Sequence, residues 1–327
     1  MIGRREFIAG LGSVAAWPIV ARAQQRGIPV IGYLFTGREP RSEQSFVAAF
    51  RGGLRETGFV EGRNVSIEYR FANNNLGLLS EFVADLVRRD VNVIVATSTA
   101  AVLPAKAATN RIPIIFLSGG DPVEYGLVAS FKQPGGNLTG ISSLSNDLGG
   151  KRLGLLHDVL PTASRFAALV NPTAPVFESQ VRELRAAAAV IEGSMEVVTA
   201  SNDQEINDAF VSFTSKRIDA LLIPPQRLFA DRIVQLVTLA AHYHLPVMYA
   251  DRGFAEAGGL MSYGTNLRDQ HWQVGVYAGR VLKGESPSDL PVMRAVKFEF
   301  VVNLKTAKTL GLSIPETLLA TADEVIQ

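Results

Sequence analysis

The 327-residue chain contains no cysteine. This excludes disulfides, cysteine metal sites, thiol nucleophiles and a lipid-modified cysteine anchor. Charge is also sparse: Asp, Glu, Lys and Arg make up 19% of the chain, the formal net charge is +1, and Lys and Arg form no block. Such a chain gives no electrostatic case for binding nucleic acid or an anionic membrane surface. With 47% hydrophobic residues, it has the composition of a globular protein with an ample core.

Enzyme signatures are absent as well. The sequence has no Gly-x-Ser-x-Gly elbow, no Walker A loop and no Gly-x-Gly-x-x-Gly dinucleotide fingerprint. It has four histidines, and two of them, His242 and His244, are separated by one residue. On a helix their rings would point apart, which favours solvated helix-end histidines over a metal site. We therefore expect a protein that is not an enzyme and has no catalytic residue, cofactor or metal ion.

The N-terminus has the features of an export signal. Arg4 and Arg5 are followed by Phe7 and Ile8, an apolar run over residues 9–20, and Ala21-Arg22-Ala23. This order predicts a twin-arginine signal peptide over residues 1–23, cleaved after Ala23, and a mature protein in the periplasm. The alternative is a buried N-terminal helix. The apolar run is shorter than the ~20 residues of a membrane span, and no other segment is long and apolar enough to span a membrane, so we expect no membrane insertion of the mature chain.

The rest of the chain alternates predicted strands with predicted helices. Strands alternating with helices of 10–16 residues indicate parallel sheets covered by helices on both faces. The pattern runs twice, which predicts an α/β fold of two Rossmann-like lobes. The first run has strands at 28–35, 64–70, 91–96, 112–117 and 137–142, with helices at 42–57, 76–89, 99–109 and 121–131. The second has helices at 149–159, 176–191, 203–215 and 228–243, with strands at 165–170, 195–200, 218–223 and 246–250.

A third stretch follows the two runs, with a strand at 258–264, a helix at 267–282, a strand at 298–303 and small helices at 304–310 and 315–320. We expect the strand-helix unit at 258–282 to return to the first lobe, so that several crossovers join the lobes in a hinge. The predicted first lobe is 28–144 plus 252–290, and the predicted second lobe is 145–251 plus 291–327. The predicted hinge segments are 144–148, 251–254 and 290–293.

Polar and small residues cluster where predicted strands end. Ligands of open parallel sheets bind beyond the carboxyl ends of the strands, where helix N-termini point N–H groups at the crevice. Ser98 and Thr99 follow the third strand, Gly120 and Asp121 follow the fourth, and Thr36 follows the first. These side chains could bind a ligand, or they could only cap helices and close turns.

Several motifs in order resemble one family. They are Ala96-Thr97-Ser98-Thr99-Ala100-Ala101, Gly120-Asp121-Pro122-Val123, Pro134-Gly135-Gly136-Asn137-Leu138-Thr139-Gly140, Gly258-Gly259-Leu260, Gly284-Glu285-Ser286-Pro287 and Val302-Asn303-Leu304-Lys305-Thr306-Ala307. Together they span nearly all of the mature chain, which resembles the ABC-transporter solute-binding proteins of the type I periplasmic-binding-protein fold. That family includes tryptophan- and tyrosine-binding members.

The resemblance implies a set of binding residues. Ser98 and Thr99 would hold a ligand carboxylate, and Asp121 would line the cleft. From the second lobe the implied residues are Glu178, Ser179, Gln226 and Asp251. The aromatic-amino-acid binders carry an Asp-Asn pair where this chain has Gln226 and Arg227, and an acidic residue and Asn before the serine where it has Val176-Phe177-Glu178. These departures weaken the case for an amino acid and suit a carboxylate or amide ligand better.

The resemblance implies the solute-binding component of an ABC importer. It would capture a small, carboxylate-bearing organic solute, of an aromatic or amino-acid-like kind, by closing two lobes around it. Its partners would be an inner-membrane permease and a cytoplasmic ATPase, and we expect a monomer that binds no nucleic acid. The alternatives are a sensory subunit that presents ligand to a membrane receptor and, with less support, a periplasmic α/β enzyme.

Overall fold

The computed structural model describes residues 27–38 and 46–327. The predicted signal peptide lies outside these residues, as does the start of the first predicted helix. In the part of the chain that is described, two separate sheets form. Eight elements build the first: β1 (Val30–Phe35), α1 (Phe46–Glu56), β2 (Ser66–Phe71), α2 (Leu78–Arg88), β3 (Val93–Ala96), α3 (Thr99–Ala108), β4 (Ile114–Ser118) and β5 (Leu138–Ser142).

The second sheet is built by the next part of the chain. Its elements are α4 (Gly149–Val159), β6 (Arg165–Val170), α5 (Phe177–Val190), β7 (Ser194–Thr199), α6 (Asp203–Ser215), β8 (Ala220–Ile223), α7 (Arg227–Ala230), α8 (Ile233–His242), β9 (Val247–Tyr249), α9 (Arg252–Glu256) and β10 (Met261–Thr265). A 3₁₀ turn over Ser145–Leu148 precedes α4.

The C-terminal part contributes to both sheets. It comprises α10 (Leu267–Leu282), β11 (Met293–Arg294), β12 (Phe298–Asn303), α11 (Leu304–Thr309), α12 (Glu316–Leu319) and β13 (Glu324–Ile326). The strand orders are β11-β5-β4-β3-β1-β2 and β13-β12-β10-β9-β8-β6-β7, and all pairs are parallel except β10 with β12. The predicted α/β fold with two mostly parallel sheets is confirmed.

The chain passes between the sheets after β5, between β10 and α10, and between β11 and β12. We call the elements around the first sheet, including α10 and β11, the first lobe, and the others the second lobe. The expected lobe boundaries differ from this at two points. β10 pairs with β9 and β12 of the second sheet, because a short connection containing only α9 returns it beside β9. β11 was expected in the second lobe but pairs with β5.

Three local expectations are wrong. Residues 121–131 form successive turns instead of a helix, because Asp121 caps a turn and Gly126 takes a positive φ of 61°. The helix expected over 228–243 breaks into α7 and α8, since the backbone at Arg232 leaves the helical region. The hinge expected at 251–254 coincides with the start of α9, inside the second lobe.

Glycines let α10 lie directly against α1 in the first lobe. A Cβ added at Gly53 would come within 1.9 Å of the backbone oxygen of Trp272, and one at Gly275 within 2.1 Å of the oxygen of Phe50. Each helix thereby presents backbone to the other, and their contact closes one face of the first sheet over Tyr33 and its neighbours. Among residues 27–38 and 46–327, the helices are all too short or too polar to cross a bilayer.

Candidate ligand-binding site

A cavity of about 580 Å³ lies between the two lobes, at the carboxyl ends of the strands. The first lobe lines it with the segments that follow β1, β2, β3 and β4, and the second with those that follow β6, β7, β8 and β9. Residues of two crossover regions complete the wall: Ser143, Ser145, Thr265, Leu267, Gln270 and His271. This position is the one that the strand-end rule for open α/β sheets requires. Five of the eight predicted site residues line the cavity: Thr36, Ser98, Thr99, Gln226 and Asp251.

The start of α3 presents Ser98 to the cavity. Ser98 caps the helix by accepting a hydrogen bond from Ala101 N at 3.2 Å, so its hydroxyl proton is left to donate. Thr99 lies 3.3 Å from the Ser118 hydroxyl, and Ser118 donates its own proton to the Gly120 carbonyl. Thr99 must therefore donate to Ser118, and only its lone pairs remain. Ser98, with the first N–H groups of α3, is the better anion partner of the two.

The second lobe contributes Gln226 and Asp251, which have different uses. The Gln226 side chain accepts from Asn171 N at 2.7 Å and donates to Gln180 at 2.8 Å, so it mainly joins two segments of its own lobe. Asp251 caps α9 through one oxygen, which accepts from Gly253 N at 2.8 Å. Burial raises the pKa of the Asp251 carboxyl, and no salt bridge to it forms within the described residues. A cationic group bound in the cavity would stabilise the ionised carboxylate and offset the cost of burying it.

Arg227 reaches from the second lobe into the first. Its guanidinium lies 5.2 Å from the centre of the Phe35 ring and 6.0 Å from that of Phe46, distances typical of cation–π contacts. Gly37 leaves the necessary room, since a Cβ there would lie 2.8 Å from Arg227 Nε. Arg227 also forms an ion pair with Asp231, one helical turn further on. The charge of Arg227 is therefore already balanced inside its own lobe.

A hydrogen bond across the cavity mouth joins the lobes. Asn74 Nδ2 of the first lobe donates to Asp231 Oδ2 of the second at 2.8 Å. The backbone holds Asn74 in place, because its N–H donates to the Thr36 carbonyl at 2.7 Å and its φ is 65°. Asp231 thus receives a guanidinium on one oxygen and an amide on the other. This pairing exists only while the lobes are together.

Three predicted residues lie outside the cavity lining. Asp121 is used locally, where it accepts from Val123 N at 2.7 Å and closes a turn. Glu178 is exposed on the first turn of α5. Ser179 donates back to the Val176 carbonyl at 3.0 Å, in the manner of a helix-start serine. The start of α5 therefore lines the cavity with Val176 and not with its polar residues.

The sequence analysis assigned no site role to the lining residues Asn74, Gln270 and His271. Gln270 and His271 lie early in α10, directly after the crossover from β10. Their signal is positional: β10 ends at the same sheet edge as the other site loops, so residues just beyond it face the cavity. The sequence analysis did not apply this rule to the strand that it predicted at 258–264.

The description of the matching family model is "ABC transporter substrate binding protein", and the match spans residues 39–326. The chain belongs to this family. A curated relative, the tyrosine-binding protein of Clostridioides difficile strain R20291, is 30% identical over 275 residues, which cover 83% of this chain and 77% of the relative. Like its relatives, the chain is thus a substrate-binding protein, and the resemblance seen in its motifs is confirmed.

Two solved structures of substrate-binding proteins describe the arrangement of the lobes. The ABC domain from Streptococcus pneumoniae in complex with L-Trp is 27% identical and has a TM-score of 0.83, covering 92% of this chain and all of that one. A ligand-free, open structure from Clostridium difficile is also 27% identical, covers 92% of this chain and 99% of that one, but has a TM-score of only 0.65. This chain therefore superposes more closely on the Trp complex than on the ligand-free, open structure.

Proposed function

We propose that the chain is the solute-binding component of an ABC importer, exported to the periplasm and active as a monomer. It captures a small carboxylate-bearing solute between its lobes and presents the closed form to an inner-membrane permease, which a cytoplasmic ATPase drives. In this proposal no bond of the solute is made or broken. The work of the protein is the conversion of binding energy into lobe closure.

The observation that carries the proposal is the composition of the cavity wall. Both lobes and two crossover regions line it, so a solute that touches all of them is held best when the lobes are together. Asn74 and Asp231 add a direct bond between the lobes in that arrangement. A ligand with higher affinity for the closed state shifts the population toward it, which is the signal that a permease can recognise.

The charges of the cavity favour a zwitterionic solute. Ser98 and the first N–H groups of α3 suit a carboxylate, while Asp251 suits an ammonium group. Arg227 does not call for a second ligand carboxylate, because Asp231 already balances its charge. Phe35 and Phe46 supply aromatic surface on the wall. With a tyrosine-binding relative and an L-Trp complex among similar proteins, we favour an aromatic amino acid or a close carboxylate analogue.

A thermal-shift screen tests the proposal. Residues 24–327 would be unfolded and refolded to remove bound solute, then heated with amino acids, aromatic acids, dicarboxylates, short amides and sugars. A micromolar binder at 1 mM adds ~4 kcal/mol to the free energy of unfolding, which shifts Tm by several degrees. Carboxylate-bearing solutes should give the hits, and silence from all of them would contradict the proposal.

The hit should be lost in Ser98→Ala. Because that change also removes a helix cap, Asn202→Ala is the matched control: Asn202 caps α6 in the same way, by accepting from Glu205 N at 3.0 Å, but lies outside the cavity lining. Both variants should lose similar stability without ligand. Only Ser98→Ala should lose the ligand-induced shift.

A further inference from the structure

Four residues of the cavity wall carry buried polar atoms that make no hydrogen bond within the described residues. They are Arg227 Nε, Thr265 Oγ1, both amide atoms of Gln270 and His271 Nε2. A buried polar group without a partner costs free energy, so a folded chain rarely keeps several together without a use for them. Gln270 and His271 are only 2% and 3% exposed, and both residues belong to the cavity lining.

Three of these residues flank one crossover. Thr265 ends β10 in the second lobe, and Gln270 and His271 lie in the first turns of α10 in the first lobe. Other contacts hold the two α10 residues in place. Gln270 N donates to the Asn266 carbonyl at 3.1 Å, and the His271 ring stacks on the Phe46 ring with the ring centroids 4.6 Å apart. We call Thr265, Gln270 and His271 the crossover cluster.

The hydrogen-bonding character of the cluster follows from its backbone contacts. His271 Nδ1 lies 2.8 Å from the Leu267 carbonyl, which can only accept, so Nδ1 carries the proton. Burial lowers the pKa of His271 to about 4, so the ring is neutral near pH 7 and Nε2 is an acceptor. Gln270 offers one acceptor and an amide donor, and Thr265 a hydroxyl. His271 Nε2 and the Gln270 amide oxygen both need a donor on the solute, which a hydroxyl or N–H group supplies and an ionised carboxylate cannot.

We propose that the crossover cluster is a specificity subsite for a neutral hydrogen-bond donor on the solute, such as a hydroxyl or a ring N–H. The inference rests on the proposed function and adds a second recognition element to the carboxylate site at α3. Because Thr265 belongs to one lobe and Gln270 and His271 to the other, a donor bound there also spans the crossover between them. A site built to hydrogen-bond such a group discriminates strongly against the analogue that lacks it.

Calorimetry with matched probe pairs tests the subsite. The pairs are L-tyrosine with L-phenylalanine, 4-hydroxyphenylacetate with phenylacetate, and L-tryptophan with 1-methyl-L-tryptophan, each titrated into refolded residues 24–327. In at least one pair, the donor-bearing member should bind about tenfold more tightly or better. Equal affinities within every pair that binds would overturn the subsite and leave the proposed function intact. If no probe binds, the subsite fails, whereas the proposed function fails only if the carboxylate-bearing solutes of the thermal-shift screen are silent as well.

Variants separate recognition from structure. Thr265→Val and Gln270→Met keep the approximate size of the side chain and remove its hydrogen-bonding groups. His271→Phe removes the ring nitrogens and keeps an aromatic ring against Phe46. Each variant should lower the affinity for the donor-bearing probe and leave the affinity for the other member of the pair unchanged. The ratio of the two affinities should therefore fall toward one. Gln204→Met, on the exposed face of α6, is the control and should preserve the ratio. A variant set that weakens both members of a pair equally would overturn the proposal.

Discussion

The guanidinium of Arg227, in the second lobe, lies 5.2 Å from the centre of the Phe35 ring, in the first. This contact joins a residue just after β8 to the last residue of β1, so it reports directly on how close the lobes are. Arg227 is oriented by its ion pair with Asp231, and Asp231 in turn accepts from Asn74 across the cavity mouth. The Arg227–Asp231 ion pair links the two interlobe contacts, Arg227–Phe35 and Asn74–Asp231, which must both break when the lobes open.

Asn74→Gly should favour the open protein. Glycine keeps the positive φ of 65° and removes only the side chain that donates to Asp231. Losing one such hydrogen bond costs the closed state about 1 kcal/mol, a shift of roughly fivefold toward the open form. Small-angle X-ray scattering on solute-free protein should give a larger radius of gyration than for wild type. Asn73→Gly, also at positive φ but without the interlobe bond, should match wild type; equal values for both variants would contradict the connection.

Arg152→Met should lower the free energy of unfolding by about 3 kcal/mol. Arg152 is buried on α4, donates to the Ser145 carbonyl and hydroxyl at 2.9 and 3.1 Å, and donates to the Tyr263 carbonyl at 2.7 Å. It therefore ties together two chain segments next to crossovers, and its loss leaves their acceptors unpaired. Urea denaturation measures the change. Lys151→Met, one residue away and exposed, should have little effect, and a similar loss in both variants would refute this role.

Gly53→Ala should destabilise the first lobe, because its Cβ would meet the Trp272 backbone oxygen at 1.9 Å and force α10 away from α1. Overpacking of this kind costs about 1–3 kcal/mol. Gly52→Ala is the neighbouring control, since its Cβ would lie 3.4 Å from a Trp272 side-chain atom and the change gains helix propensity. Thermal denaturation should show a lower Tm for Gly53→Ala only. A Tm for Gly53→Ala at or above that of Gly52→Ala would count against the close helix contact.

His271 should make the protein less stable as the pH falls from 6.5 toward 4. Burial lowers the pKa of folded His271 to about 4, whereas an unfolded histidine takes up its proton near pH 6.5. Between these values the unfolded state binds more protons, so stability falls by up to about 3 kcal/mol with decreasing pH. Denaturation series should be flatter over this range for His271→Phe than for wild type. His242→Gln, at an exposed histidine, should follow wild type; identical slopes for all three would contradict the assignment.

The sequence predicted most of the fold because its helices and strands have clear periods and are bounded by caps and glycines. Residues 267–282, 149–159 and 203–215 were predicted as helices with the bounds that α10, α4 and α6 have. The assignment of β10 failed for a different reason. Which sheet a strand joins depends on the length and direction of the connection before it, and the helix α9 in that connection was not predicted.

The residues of the candidate site likewise fall into those that the sequence could predict and those that it could not. Ser98, Thr99 and Thr36 could be found because they directly follow predicted strands, where the sheet edge fixes their location. Glu178 and Asp121 resembled binding residues in type, but local capping and exposure decide where their side chains go. The roles of Arg227, Gln270 and His271 depend on contacts between parts of the chain far apart in sequence, such as the Arg227–Phe35 contact. No local pattern encodes those distances.

Titration calorimetry of refolded residues 24–327 with L-tryptophan, L-tyrosine and their deaminated counterparts, indole-3-propionate and 3-(4-hydroxyphenyl)propionate, tests the central claim most directly. The account predicts that at least one amino acid binds once per chain with micromolar or tighter Kd. Asp251→Asn, which keeps the α9 cap, should weaken that amino acid at least about tenfold and spare its deaminated counterpart, because it removes only the partner of the ammonium group. Absence of binding by all four compounds, or equal weakening of both members of a pair, would contradict the capture of a zwitterionic solute between the lobes.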